Sequence, residues 1–353
     1  MKKIFLYGIK RMAKAALATC LLLPTALSCD LVFEDQGDCD PDYFVKFVFD
    51  RNMLYNPETG IGADAFAAQV RSVDLRVFDA KTGAFVARFT EEGEPLTREG
   101  YRMSVDLAPG EYEFIAWCGL ANNEGDFTVP ENTPSAEGLT CTMARNHDET
   151  VAWSDKNLKA VFHGRMIGNL PDEEGEHVIT IYLTKDTNNI NLSLHHHSEA
   201  LDPERFAVVM SDANGYMASD NELLPDEVIE YRPWITRSGT ADLSRAGEEV
   251  TAARGFLAVE LSTARLMKDR EMRIKIVDLE TGKTIFSIPM IQWALMFRSA
   301  NYASMPEQEY LDREDQYNLS VFLVNESGGS AEWTAVEIVI NGWHIVNNGN
   351  VTM

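Results

Sequence analysis

From residue 43 onward the chain is divided into short segments in which apolar and polar residues alternate. Val73, Leu75 and Val77 alternate with Asp74 and Arg76, and Tyr112, Phe114 and Ala116 share one side of a later run. A period of two sends successive side chains to opposite faces of a strand, so one face enters a core and the other meets water. Such strands are expected at residues 43–49, 73–78, 85–89, 101–107, 111–117, 139–143, 178–184 and 190–196. In the second half they fall at 206–211, 255–261, 273–278, 284–288, 317–325, 333–340 and 343–346. Turn residues lie between them: Asp79 to Gly83, Pro109-Gly110, Glu280 to Lys283, and Asn341-Gly342, a strong short hairpin signal. Only residues 66–70, 155–162 and 293–298 read as short helix. Strands at this spacing define an all-β chain, built as two antiparallel β-sandwich domains in tandem. The expected domains are residues 43–187 and 188–353, joined by the polar connector Thr187-Asn188-Asn189, which suits a surface.

The chain begins differently. Lys2, Lys3, Lys10, Arg11 and Lys14 precede a short apolar run, and Ser28 stands before Cys29. A basic start, an apolar middle and a small residue before the cut make a secretory signal over residues 1–28. The apolar run falls short of the roughly 20 residues that span a bilayer. Cleavage before a cysteine resembles the lipobox of bacterial lipoproteins, in which that cysteine, here Cys29, becomes the lipidated first residue. Ala26 departs from the pattern, which usually has Leu there, and ordinary cleavage leaving a free thiol is the other reading. Residues 29–42 form an acidic tether: Asp30 to Asp42 holds five Asp, one Glu and no basic residue.

Charge narrows the partners. Residues 1–28 hold five basic residues and no acidic one, so the chain from Cys29 carries 26 basic and 55 acidic residues, a formal charge of −29. Nucleic acid and anionic membrane surfaces are bound through basic patches, so neither is expected as a partner. Cys39, Cys118 and Cys141 remain after the signal and the lipidated residue. Export permits a disulfide, and Cys118 with Cys141, which bracket a loop-like stretch, is the first choice. Cys39 with either, or three buried thiols, remain open, because connectivity does not follow from sequence.

No enzyme is expected. His195-His196-His197 lies at a strand end, where His195 and His197 share a face, but no Cys or acidic spacing completes a zinc set. His163 lacks an evident nucleophile or orienting partner and reads as a helix-end residue. Asp172-Glu173-Glu174 and Glu176 lack the ligand spacing of a calcium loop and read as a solvated turn. There is no GxSxG, phosphate-binding glycine loop or HExxH. No metal or cofactor is therefore expected, and Trp117, Trp293, Trp333 and Trp343 are assigned to the core rather than to a sugar platform.

Several runs, taken in order, resemble the fimbrium anchoring subunit family of Bacteroidetes. They are Phe47-Val48-Phe49-Asp50-Arg51-Asn52-Met53, Val77-Phe78-Asp79 with Gly83, and Leu107-Ala108-Pro109-Gly110-Glu111-Tyr112-Glu113-Phe114-Ile115-Ala116-Trp117. Phe162-His163-Gly164, Asp220-Asn221, Tyr231-Arg232-Pro233 and Ile340-Asn341-Gly342-Trp343 follow. The resemblance covers essentially the whole mature chain. It implies transthyretin-like sandwiches and a structural lipoprotein, held to the outer membrane by its N-terminal lipid and partnered by fimbrial shaft or accessory subunits. It also implies a limit on fimbrial length. An accessory or tip subunit, or a surface lipoprotein binding glycan or host protein, is the alternative. In the resembling shaft subunits a trypsin-like protease cuts after a basic residue ahead of the first strand. Here residues 30–45 contain no Lys or Arg, and the first basic residue, Lys46, lies inside the first expected strand.

Overall fold

The computed structural model describes residues 41–196, 200–242, 253–296, 298–325, 333–340 and 343–346. Cys29, Cys39, His197 and the Asn341-Gly342 turn lie outside them. The fold is all-β. In the first sandwich, a three-stranded sheet places Asp42–Val48 between Glu176–Tyr182 and Arg102–Ser104. It faces a five-stranded sheet in the order Thr184–Lys185, Phe162–Leu170, Gly110–Cys118, Ser72–Asp79, Phe85–Glu92. Tyr43, Val45, Phe47, Val73, Leu75, Val77, Phe114, Ala116 and Cys118 fill the space between them.

The intervening residues of the five-stranded sheet are buried as well. Phe78, Ile115 and Trp117 point away from this first core and join a second one, which continues into the C-terminal half. Alternation along Gly110–Cys118 thus supplies two cores from one strand, which is why Phe114 to Cys118 reads as an unbroken apolar run.

The second sandwich pairs two six-stranded sheets. One runs Ile235–Asp242, Ala253–Ala264, Thr187–His196, Gln316–Asn325, Trp333–Ile340, Trp343–Val346. The other runs Lys283–Pro289, Arg273–Asp278, Phe206–Asp212, Ile229–Tyr231, Ala152–Ser154, Asn146–His147. The last two strands come from the first half of the sequence. Two pairs are parallel, Thr187–His196 with Gln316–Asn325 and Ile229–Tyr231 with Ala152–Ser154, where antiparallel pairing alone was expected. A parallel pair needs a crossover connection, which residues between the partners supply in each case. Asp42 groups with Pro171–His177, and its N–H donates to Gly175 O at 3.0 Å.

Three local expectations are corrected. Residues 155–161 form no helix, and Phe162 instead opens the strand Phe162–Leu170. The two glycines in that strand hide its periodicity, and packing demands them: a Cβ on Gly164 would lie 2.5 Å from Ile181 Cγ2. The run expected at 101–107 shortens to Arg102–Ser104. Thr187 and Asn188 are buried strand residues rather than a surface connector, since Asn188 Nδ2 donates to Ala264 O at 3.2 Å and its backbone pairs opposite Thr263.

Gly119 closes the strand Gly110–Cys118 with φ +88°, and an added Cβ would meet Ala160 O at 2.2 Å. Gly83 has φ +68° with open space around it. Gly83→Ala should therefore cost only the left-handed penalty of about 1–2 kcal/mol. Gly119→Ala adds a backbone collision and should cost at least about 1–3 kcal/mol more. Urea unfolding of the two variants checks the difference.

Candidate functional site

Two regions stand out: the first strand, and a polar junction between the sandwiches. Tyr43, Val45 and Phe47 anchor the first strand in the core, while Phe44 on its other face lies 4.6 Å beneath the Arg102 guanidinium. Phe44, Val45 and Lys46 pair with Ser104, Met103 and Arg102, and Leu183 N donates to Val48 O at 2.8 Å. The strand is the middle one of its sheet, so its backbone groups are engaged on both sides. Lys46 is half-buried within it.

At the junction, Asp186 sits between the last strand of the first sandwich and Thr187, the first residue of the second. It is fully buried, and its Oδ1 accepts from Asn221 Nδ2 at 2.8 Å. Arg265 Nε lies 3.8 Å from the same oxygen. Arg265 spends its main contacts on Asp312, with Nη2 at 2.9 and 3.2 Å and Nε at 3.3 Å, and Nη1 donates to Asn221 O. Gln308 Nε2 also donates to Asp312 Oδ1, at 2.9 Å. Asn221 holds φ 68° inside a tight turn closed by Ala218 N to Glu222 O at 2.8 Å. Asn tolerates that left-handed position better than most residues. Lys185 pairs with Asp315, and Arg313 Nη1 donates to Asp50 O at 2.7 Å.

His163 belongs to the same region. It is buried beside Trp117, ring centroids 4.7 Å apart, and its Nε2 donates to Ser219 O at 2.9 Å. Burial, aided by Arg265 and Arg165, holds its imidazole down to about 3, so it is neutral. It is a strand residue rather than a helix end, and it fixes the turn that carries Asn221. Two motifs quoted for the family resemblance, Phe162-His163-Gly164 and Asp220-Asn221, therefore meet here. The ionic members Asp186, Arg265 and Asp312 lie far apart in the chain, and no spacing in the sequence links them.

The other residues singled out in the sequence scatter. Cys118 and Cys141 are both buried free thiols, which corrects the expected disulfide. Cys118 faces the first core and Cys141 the second, on separate sheets. Burial pushes both thiols well above the ordinary thiol range. His195 stacks on Phe322 at 4.9 Å and its Nε2 lies 3.0 Å from Ser193 Oγ; burial and then Arg254 hold its pKa down. His196 is buried on the opposite face. Among the described residues no group of three His, Cys, Asp or Glu is placed to hold a metal ion. Asp172, Glu173, Glu174 and Glu176 are exposed at their turn. Trp117 is core, Trp293 packs half-buried against the second core, and Trp333 and Trp343 open strands.

By class this is a tandem β-sandwich protein whose internal polar groups secure one sandwich to the other. Residues 36–349 match the family model described as Fimbrillin-A associated anchor proteins Mfa1 and Mfa2, and the chain belongs to that family. A candidate adhesin of known structure from Bacteroides thetaiotaomicron is 31% identical, with TM-score 0.73 over 89% of this chain and 100% of the other. A candidate polysaccharide-binding protein from the same organism is 30% identical, with TM-score 0.69 over 88% and 99%. The fimbrial anchor protein Mfa2 from Porphyromonas gingivalis superposes with TM-score 0.63 over 87% and 99%, at 15% identity, a likeness of fold. Comparison with curated proteins finds no match.

Sealed thiols react only on unfolding. Iodoacetamide should leave Cys118 and Cys141 unlabelled in the native protein and label both in denaturant without reductant, as read by peptide mass spectrometry. Labelling that requires reductant would restore the disulfide.

Proposed function

We propose that this protein anchors a fimbria to the outer membrane through a lipid on Cys29, and that it ends the polymer instead of extending it, so limiting its length. Membership of the anchor-protein family supports a fimbrial role and fimbrial subunits as partners. The observation that carries the terminating role is the place of the first strand. It fills the centre of its sheet, and the first basic residue after the tether, Lys46, lies inside that strand. A trypsin-like protease needs its substrate extended and free of other pairing, and a central strand offers neither condition. The strand therefore stays, no groove opens for a neighbour's strand, and the lipid remains attached. In this reading residues 43–187 and 188–353 are the two domains, the first lending Asn146–His147, Ala152–Ser154 and Thr187 to the sheets of the second.

A second reading has one observation in its favour. Beside the second core, the five-stranded sheet borders a cleft of about 320 Å³ lined by Asp74, Arg76, Arg88, Thr90 and Glu92 among others. Asp74 there is fixed by Arg88 Nε and Nη2 at 2.9 and 3.0 Å and by Arg76 Nη2 at 3.3 Å. Pre-fixed polar groups in a concave site suit a polyhydroxyl ligand such as a glycan.

Detergent extraction and pull-down from native membranes should bring fimbrial subunits with the protein. A clean preparation with glycan affinity favours the second reading. Cys29→Ser should move folded protein to the soluble fraction, since a lipid is the attachment proposed. Retention through detergent-free washing overturns the lipid anchor. N-terminal sequencing from assembled fimbriae should find a blocked or Cys29 start; a start at or beyond Phe47 marks a processed shaft subunit and overturns the terminating role.

A further inference from the structure

Asp186 is fully buried, Asp312 is partly buried with 9% of its side chain exposed, and one guanidinium, Arg265, serves the two. Arg265 is committed to Asp312 by three contacts of 2.9 to 3.3 Å and stands 3.8 Å from Asp186. Asp186 Oδ1 has Asn221 as its hydrogen-bond donor, and Oδ2 is buried without a hydrogen-bond partner among the described residues. One cation neutralises one carboxylate. The second buried carboxyl is accommodated far better with a proton than with a charge.

We propose that Asp186 is a proton-operated latch at the junction of the two sandwiches. Protonated, it leaves Arg265 and Asp312 as a balanced pair and lets the Ala218–Glu222 turn close over the junction. Ionised, it adds an unpaired negative charge that is relieved when the turn opens and admits water to Asp186.

The surroundings sharpen the effect. The turn brings Asp220 and Glu222, the helix Glu307–Arg313 brings Asp312, and Asp315 follows it. Against these stand Arg265, Lys185, which is occupied by Asp315, and Arg51, whose Nη1 donates to Thr184 Oγ1 at 2.9 Å. His163 is neutral, and the Cys141 thiol, raised by burial and then by Asp186, adds no charge. Burial pushes the Asp186 carboxyl up to about 7, with Asp312 adding to the rise while Arg265 and Asn221 oppose it. A carboxyl raised on folding makes the folded state take up a proton. Its stabilising contribution is complete below the unfolded value near 3.9 and is lost as pH rises through about 7. The junction is thus tightest in mild acid. Glu314 is raised to about 7 by burial and titrates in the same window, so it must be held apart.

The test uses the mature chain with Glu314→Gln as background. Amide hydrogen exchange is followed from pH 5 to 8.5 and corrected for intrinsic rates. Amides of residues 184–188 and 218–222 should lose protection by at least about tenfold with a midpoint near 7. Adding Asp186→Asn, which keeps an oxygen acceptor for Asn221, should flatten that profile. Parallel profiles with and without the substitution overturn the latch. Should the Asn variant fail to fold, carbon-13 titration of aspartate carboxyls in the background protein reads the same group. An aspartate titrating near 7 together with the turn amides supports the latch; none titrating above about pH 6 overturns it.

Discussion

The structure depends on a single sheet being buried on both faces. In the strand Gly110–Cys118, Phe114, Ala116 and Cys118 look into one core while Ile115 and Trp117 look into the other. Every neighbour is arranged around that constraint. The three-stranded sheet covers one face. The segment from Leu120 to Val161 and the second sandwich cover the other, and two short strands of that segment extend a sheet of the second sandwich. The sandwiches are consequently not beads on a string. Hydrophobic burial joins them through Phe78, Ile115 and Trp117, and truncating a buried aromatic of this size typically costs about 3–5 kcal/mol.

The polar junction has a different task from the apolar contact. Apolar surfaces slide and repack at modest cost, whereas a hydrogen-bonded ionic cluster accepts one register. Asp186, Asn221, Arg265 and Asp312 bind the interdomain step, a turn of the second sandwich, the end of a long strand and a helix to one another. Such buried ionic groups contribute little net stability over an apolar equivalent. Their effect here is to fix how the linking residues enter the second sheet, which begins its pairing at Thr187 opposite Ala264.

Most strands were legible because one rule, alternation between turns, governs any strand with one face in a core. The rule fails where another constraint dictates the residue. Phe162–Leu170 was unread because close approach of Ile179 and Ile181 requires Gly164 and Gly168, which erase the alternation. Thr187-Asn188 read as surface because polar residues usually are; here Asn188 Nδ2 donates to Ala264 O, and Thr187 pairs through its strand opposite Ala264. The parallel pairs and the migration of Asn146–Ser154 into the second sandwich are long-range choices that no local window contains. At the candidate sites, the position of Lys46 could be read directly, since it needs only a strand and a count of basic residues. The Asp186–Arg265–Asp312 cluster is assembled from residues far apart in the chain, and only the fold brings them together. The expected pairing of Cys118 with Cys141, which bracket a loop-like stretch, did not take account of the two interiors they face.

The central place of the first strand also sets how the protein meets a mechanical load. In the proposed anchoring role, a load applied along the axis of Asp42–Val48 runs parallel to the strands on either side. Hydrogen bonds perpendicular to that axis are then sheared together rather than unzipped one after another. The buried rings of Tyr43 and Phe47 must slide out of the core in the same event. A tensile joint of this geometry fails as a unit, at a force set by all its bonds at once.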